Sequence, residues 1–331
     1  MKNREIKNRN QVVLFDYIQK KLPANHALVD VVSDLLNIGS DATYRRIRGI
    51  KLLDIEEVIL LCRHFKISLD LVLDFESKPF QCDYATLDFT DLKSYLSFAQ
   101  FLATFVNDLR RMPESELILT ASDIQLFNFL FYRELTYFQL FSWNKSVCGY
   151  PANYENFVKE LNTDELTKYY DSITKNFLLM PSTEIWTTST MDSILSLLNY
   201  HFEMEDFSNN KMPLLICEQL MDMIDTLERW AEKGTKDANN TPYRFYVSEI
   251  DIENTFMLFK NSQTTKCVIK IFGGNGLTIS DERFCRDTES WLQKLTQRAI
   301  PISSSMEKER FKFFNGQRQK TGILIEKIRQ R

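Results

Sequence analysis

The stretch that decides the fold runs from Ala27 to Leu73 and reads ALVDVVSDLLNIGSDATYRRIRGIKLLDIEEVILLCRHFKISLDLVL. An apolar-patterned segment leads into the turn 37–39, and a short basic segment follows and stops at Gly49. A third segment, predicted as a helix over 55–65, opens after Asp54, and Glu57 three residues later completes a capping-box pattern. These signals predict two helices joined by a tight turn, with a third helix packed behind them.

The second helix of this pair, residues 40–48, has the size and charge to enter a DNA major groove. Arginine can pair bidentately with a guanine edge and can also neutralise a phosphate, so the sequence does not separate base readout from anchoring. We expect Ser40 to cap the helix and Gly49 to end it with a positive φ. The predicted DNA-binding residues are Ser40, Asp41, Thr43, Tyr44, Arg45, Arg46, Arg48 and Lys51.

The segment resembles the Cro/C1-type (XRE-like) helix-turn-helix of bacterial and phage repressors. The resemblance covers about 50 residues and rests on Leu28, Leu35, Ile38, Ser40, Tyr44, Arg45, Arg46, Ile47, Gly49, Leu53, Glu57, Phe65 and Ile67-Ser68-Leu69-Asp70. Two positions depart from the family pattern, because Ser33 replaces the usual small Ala and Asn37 replaces the usual turn Gly. Asn tolerates left-handed φ, so the turn can still form. The resemblance implies a lambda-repressor-like fold for this segment and DNA as its partner.

The chain divides into three predicted domains, and the fold class is mostly α with a small α+β C-terminal domain. Residues 1–78 form the helix-turn-helix domain. Residues 79–235 read as a helical domain for dimerisation or sensing, with a candidate short strand at 117–120 and a buried helix over 124–144. Residues 236–331 read as a meander of strands at 243–250, 255–260, 267–272 and 277–279, followed by two helices. The C-terminal part resembles that of large bacterial regulators carrying such a head, and this resemblance assigns no activity to it.

Composition excludes several protein classes. The 331 residues are 44% hydrophobic, which excludes wholesale disorder. Residues 1–78 hold 13 of the 41 basic and 11 of the 45 acidic residues, a net charge of +2 against −6 for the remainder. A mildly basic head on an acidic body suits a DNA-reading head, although chance explains the contrast equally well. The longest apolar run, 126–143, is interrupted by polar residues, so we expect no membrane span. The six cysteines lack metal spacing and indicate small buried hydrophobes in a reducing cytosol.

Candidate chemistry outside the head is weak. The three histidines lack metal-binding spacing, and the most metal-like segment is His201 with Glu203, Glu205 and Asp206. The glycine-rich segment 272–276 lacks the Lys-Ser/Thr of a phosphate loop and predicts a hairpin turn. We therefore predict no catalytic residues, no metal and no cofactor, and a protein that is not an enzyme.

The prediction for function is a cytoplasmic, sequence-specific DNA-binding transcriptional regulator acting as a homodimer. The aromatic-rich segments 126–150 and 168–202 are consistent with a large core, and equally with a cavity for a small-molecule or peptide effector. Two other classes stay open. One is a protein-interaction adaptor whose helix-turn-helix no longer binds DNA, and the other is an enzyme carrying a DNA-binding head.

Overall fold

The computed structural model describes residues 2–22, 26–72, 80, 82–148, 153–161, 164–237 and 239–331. The chain forms two compact units, Met1–Gln81 and Cys82–Arg331. Helices dominate both units, and a mixed sheet in the second makes the protein a mostly helical α+β fold.

All the regular secondary structure in the described part of the first unit is helical. Its helices are α1 Lys2–Lys21, α2 Leu28–Leu36, α3 Ser40–Ile47, α4 Ile55–Phe65 and α5 Leu69–Val72. The apolar stripes of these helices meet in one small core formed by Leu14, Phe15, Ile18, Val32, Leu61, Ile67 and Val72. Burial of these side chains supplies most of the driving force for the unit, because helices this short are marginal alone in water.

Three consecutive helices of the first unit end in the same way. A residue with left-handed φ follows α2, α3 and α4, namely Asn37 (φ 50°), Gly49 (φ 70°) and Lys66 (φ 50°). After α3, the Ile50 amide donates to the Arg45 carbonyl and the Gly49 amide to the Arg46 carbonyl. This is the Schellman pattern, which satisfies carbonyls that the helix end would leave free. The expected left-handed Asn37 and positive-φ Gly49 are both confirmed.

The second unit combines one eight-stranded sheet with long helices. Its strands are β1 Cys82–Ala85, β2 Glu116–Ala121, β3 Ser182–Trp186, β4 Tyr243–Val247, β5 Phe256–Lys260, β6 Thr265–Lys270, β7 Gly276–Ile279 and β8 Ile300–Pro301. Its helices are α6 Leu92–Arg111, α7 Leu126–Phe129, α8 Arg133–Cys148, α9 Tyr154–Leu161, α10 Asp164–Leu178, α11 Asp192–Glu203, α12 Lys211–Lys233, α13 Glu282–Arg298 and α14 Glu307–Gln330.

The strand order is β1-β7-β6-β5-β2-β3-β4-β8. The central strands β2, β3 and β4 are parallel, because helical crossovers join them, and the remaining pairings are antiparallel. One sheet face packs against the main helical layer, and the other packs against α13 through Ile185, Leu258, Cys267, Leu292 and Leu295.

The predicted boundary at residues 235/236 does not separate two compact units. Strands β2 and β3, which lie in the predicted helical domain, pair with β5 and β4 of the predicted α+β domain. The predicted strand at 117–120 is therefore the middle of a sheet rather than an isolated element. The helix predicted over 124–144 is also broken, since α7 ends at Phe129 and α8 begins at Arg133.

A buried polar network lies in the main core beside β3. Glu184 is fully buried, and its Oε2 accepts from Asn128 Nδ2 at 3.1 Å and from Trp186 Nε1 at 2.9 Å. Lys236 is also fully buried. It donates to the carbonyls of Phe177 (2.7 Å), in the last turn of α10, and Met180 (2.9 Å), just after that helix. Burial raises the pKa of Glu184 and lowers that of Lys236, and the attraction between the two charges opposes both shifts.

The sequence led us to expect buried cysteines and no membrane span. Cys217, Cys267 and Cys285 are buried, whereas Cys82 is exposed. Among the described residues, no helix combines the length and apolar character needed to cross a membrane.

Candidate nucleic-acid interface

Helix α3 has one face packed into the first unit and one face open to solvent. Thr43 and Arg46 are buried, with 0% and 5% of their surface exposed. The open face presents Ser40, Asp41, Tyr44, Arg45 and Arg48, and Lys51 is exposed just beyond the helix. The structure therefore brings six of the eight predicted residues to one surface and withdraws two.

Thr43 is not available to a nucleic acid, contrary to the prediction. Its hydroxyl lies 2.8 Å from the Ser33 hydroxyl and also donates to the Gly39 carbonyl at 3.2 Å. Ser33 occupies the position where the resembled family has a small Ala. The two hydroxyls form a hydrogen bond between α2 and α3. Ser33, one of the two departures from the family pattern, therefore has a polar partner in Thr43.

Arg46 is a structural residue rather than a DNA contact. Its Nε donates to Glu57 Oε2 at 3.0 Å and its Nη2 to Glu57 Oε1 at 2.5 Å, a bidentate pair. A third donor reaches the Ala42 carbonyl at 3.3 Å. The hydrogen bond to Glu57 raises the pKa of Arg46, and burial opposes that rise. The pair fastens α3 to α4, so the predicted role of Arg46 at bases or phosphates is wrong.

Glu57 also completes the predicted capping box of α4, which is confirmed. Its amide donates to Asp54 Oδ1 at 2.8 Å, and its Oε2 accepts from the Asp54 amide at 3.1 Å. One carboxylate thus serves the N-terminus of α4 and the buried side of α3. The expected N-cap of α3 is displaced by one residue, since Gly39 occupies that position and Ser40 is the first helical residue.

Gln11 of α1 fixes the end of α3 and was not found from the sequence. Its Nε2 donates to the Arg46 carbonyl at 2.6 Å and to the Lys51 carbonyl at 2.9 Å, and its Oε1 accepts from the Leu53 amide at 2.9 Å. Gln11 is 8% exposed. No local pattern around residue 11 signals this role, because its partners lie about 40 residues away.

The open face of α3 carries a compact set of basic and aromatic groups. The Arg48 guanidinium carbon lies 5.6 Å from the centroid of the Tyr44 ring, and 47% of the Tyr44 surface is exposed. Arg45, Arg48 and Lys51 outnumber the single acidic residue of this face, Asp41, and leave it with a net positive charge. Such a face can bind phosphate oxygens and base edges at the same time.

Apolar side chains border this face on the loop between α3 and α4. Ile50 and Leu52 are 64% and 51% exposed, and Ile55 at the start of α4 is 64% exposed. Apolar side chains offer nothing to a phosphate, so this border favours contact with protein rather than with the DNA backbone.

The segment that looked most like a metal site forms a buried hydrogen-bond network instead. His201 Nδ1 lies 2.8 Å from Asp206 Oδ2, and its Nε2 lies 3.2 Å from the Ser142 hydroxyl. Lys145 pairs with the other oxygen of Asp206. Glu203 and Glu205 point away and pair with Lys327 of α14 and with Arg331, which follows α14. Across the described residues no group of three or more His, Cys, Asp or Glu side chains could hold a metal ion.

Burial also affects the imidazole ring of His201. It lowers the pKa of His201, and the hydrogen bond to Asp206 opposes that change. Ser142 and His201 are 2% and 3% exposed, so a substrate has no access to the pair.

Comparison with known proteins adds no relative. No family model, no curated protein and no solved structure matches this chain.

Proposed function

We propose that this protein is a sequence-specific, DNA-binding transcriptional regulator of the Cro/C1 (XRE-like) type that acts in the cytoplasm. The observation that carries the proposal is the division of α3 into a packed face and an open basic face. An α-helix with its side chains is about 10–12 Å across, which fits a major groove about 12 Å wide. The eight residues of α3, at a rise of about 1.5 Å each, give about 12 Å of helix to lie in that groove.

We assign the residues of the open face either to base contacts or to phosphate contacts. In this proposal Arg45, Arg48 and Tyr44, which are exposed, contact base edges and the adjoining backbone, while Ser40 and Lys51 lie at the two ends of α3. Lys51 is suited to a phosphate because its ammonium group is a compact charge, whereas an arginine guanidinium imposes a planar, two-pronged hydrogen-bond geometry. Asp41 suits a cytosine amino group. Arg46 and Thr43 have no part in this scheme beyond holding the helix.

A homodimer is part of the proposal. A single head of this size buries little DNA surface, so a monomer would bind weakly and with strong salt dependence. Two copies would place their recognition helices about 34 Å apart on one face of the duplex. The second unit is proposed to supply the dimer contact and to sense a small-molecule or peptide effector.

The test is selection of sequences from a random DNA pool by the full-length protein, followed by affinity measurements at several salt concentrations. The double variant Arg45→Ala/Arg48→Ala should lower affinity for the selected site by about 100-fold, because each lost arginine contact is worth about 1–3 kcal/mol. The matched control is Lys20→Ala/Arg63→Ala, which removes the same charge from exposed positions on α1 and α4. The control should change affinity less than threefold or so.

Arg46→Ala serves as a separate comparison. Loss of this buried partner leaves Glu57 uncompensated and should destabilise the first unit by about 3–5 kcal/mol.

DNA binding retained in full by the Arg45/Arg48 double variant would refute the assignment of the open face.

The second candidate function is a protein-interaction adaptor. The exposed Ile50, Leu52 and Ile55 favour it, since they form an apolar border where a phosphate contact is otherwise expected. Under this alternative, neither the full chain nor residues 1–78 enriches any sequence from the pool. Enrichment by the isolated head alone would instead indicate that the second unit restrains DNA binding until a signal arrives.

A further inference from the structure

The second unit contains an apolar cavity of about 80 Å³ between the helical layer and the sheet. Its walls include Phe98 and Phe105 of α6, Trp143 of α8, Met257 of β5 and Val268 of β6. Phe101, which also lines it, is 46% exposed, so the cavity reaches solvent past this ring. An apolar cavity with a few polar groups is the usual form of a small-molecule site.

The hairpin between β6 and β7 forms one wall and is built to lie flat on aromatic rings. A Cβ added to Gly274 would lie 3.2 Å from Trp143 Cζ3 and 3.3 Å from Phe98 Cε1. The hairpin is closed by hydrogen bonds between Ile271 and Asn275 (3.0 Å) and between Asn275 and Phe272 (3.0 Å). Packing and hydrogen bonds both fix this wall, so the cavity is already formed in the folded protein.

Among the described residues that line the cavity, Lys270 alone is charged, and its charge is balanced by an ion pair. Lys270 lines the cavity, its Nζ lies 5.7 Å from the centroid of the Trp143 ring, and it pairs with Asp123. An ammonium has three N–H donors, so donors remain after the pairing with one carboxylate. A second carboxylate would compete with Asp123 for Lys270, whereas a neutral oxygen can accept from a remaining N–H without disturbing the pair.

The size of the cavity restricts the shape of the ligand. An engineered apolar cavity of about 150 Å³ accommodates benzene. A cavity of about 80 Å³ is too small to enclose a ring of that size. An unbranched alkyl chain has a smaller cross-section than a ring and need not be enclosed whole. Part of the chain can occupy the cavity while the remainder extends past the exposed Phe101 toward solvent.

We propose that this cavity binds a small uncharged molecule with an unbranched alkyl chain and one hydrogen-bond acceptor at its end, such as an aliphatic alcohol or ketone. The oxygen accepts from Lys270, and the chain lies among the aromatic side chains. The site is independent of the proposed DNA binding, because all its residues belong to the second unit. Its test accordingly uses no DNA.

The experiment is isothermal titration calorimetry of the full-length protein with 1-hexanol at neutral pH. We expect saturable binding at one site per chain. Lys270→Met should weaken binding about tenfold, the value of one hydrogen bond to a charged donor. The matched control Lys175→Met, at an exposed position on α10, should bind as the unmodified protein does.

Two further variants fill the cavity. Val268→Phe and Leu102→Phe add volume at half-buried lining positions on opposite walls, and each should abolish binding. Tryptophan fluorescence distinguishes loss of the site from loss of the fold. Absence of saturable binding would overturn the proposal, as would unchanged binding by a folded cavity-filling variant. Tighter binding of hexanoate or hexylamine than of 1-hexanol would overturn the assignment of an uncharged ligand.

Discussion

Arg46 and Arg48 stand two residues apart, and the fold gives them opposite surroundings. Successive residues of a helix are about 100° apart, so positions i and i+2 lie on nearly opposite faces. The sequence showed three arginines suited to DNA, and only the partner Glu57 on the next helix decides which one is internal. A basic cluster in a sequence therefore identifies a candidate surface without identifying its members.

His201 provides a prediction at this scale. Burial lowers its folded pKa below the ordinary value of about 6.5, so the neutral ring is the form that the fold accommodates. The contribution of neutral His201 to the free energy of unfolding is complete above about pH 6.5, the pKa of the unfolded state. This contribution is lost as the pH falls through the lowered pKa of the folded state. We expect the second unit to be less stable at pH 5 than at pH 7.5. Urea unfolding followed by tryptophan fluorescence measures this, because all four tryptophans lie at residues 143, 186, 230 and 291 of that unit.

The control for this prediction is His201→Asn, which removes the titrating ring. This variant should be less stable at pH 7.5 but should lose less stability on acidification than the unmodified protein. His64→Gln, at an exposed position in the other unit, should leave the tryptophan transition unchanged. An equal loss of stability in the unmodified protein and in His201→Asn would rule out His201 as the responsible group.

Helices were predictable from the sequence to a greater degree than strands. Helix α4 has the predicted bounds, because its capping box and its amphipathic pattern are both local signals. Strand β3 was missed altogether. Its sequence STEIW looks polar, and only the network of Asn128, Trp186 and Lys236 around it allows Glu184 to be buried there.

Gln11 leads to a prediction at the scale of elements, because it joins α1 to the end of α3. Gln11→Leu would deprive two carbonyls and one amide of their partner and should destabilise the first unit by about 2–4 kcal/mol. Hydrogen exchange of the α3 amides in the full chain measures the effect, and exchange should accelerate at least tenfold.

Gln19→Leu is the matched control on the same helix, since Gln19 is exposed. It should change the exchange rates of α3 little, as most exposed substitutions do. Equal protection of α3 in both variants would mean that Gln11 does not hold the helix end.

At the scale of the whole molecule, a single sheet unites the second unit. The sequence predicted strands at 117–120 and in four segments after residue 240, but it gave no means of pairing them. Pairing depends on which strands the fold brings side by side. The partners are 65 residues apart in β2–β3, 61 in β3–β4 and 138–144 in β2–β5. The predicted boundary at 235/236 failed for this reason.

Truncation tests this view of the second unit. Residues 82–331 should unfold cooperatively in urea, because they contain every strand of the sheet. Residues 82–235 would retain only β1, β2 and β3, leaving β1 without β7 and β3 without β4. We expect no cooperative tryptophan transition from this shorter fragment. A cooperative transition there would restore the three-domain organisation.

The pairing of β1 with β7 also has a consequence during protein synthesis. Strand β1 leaves the ribosome about 190 residues before β7, a delay of roughly 10–40 s at about 5–20 residues per second. The five helices of the first unit contain no such long-range dependence, and their core is complete once Val72 has emerged. On the nascent chain, the head can therefore mature while the remainder is still awaiting its last strands, and an mRNA-bound ribosome would already display the basic face of α3.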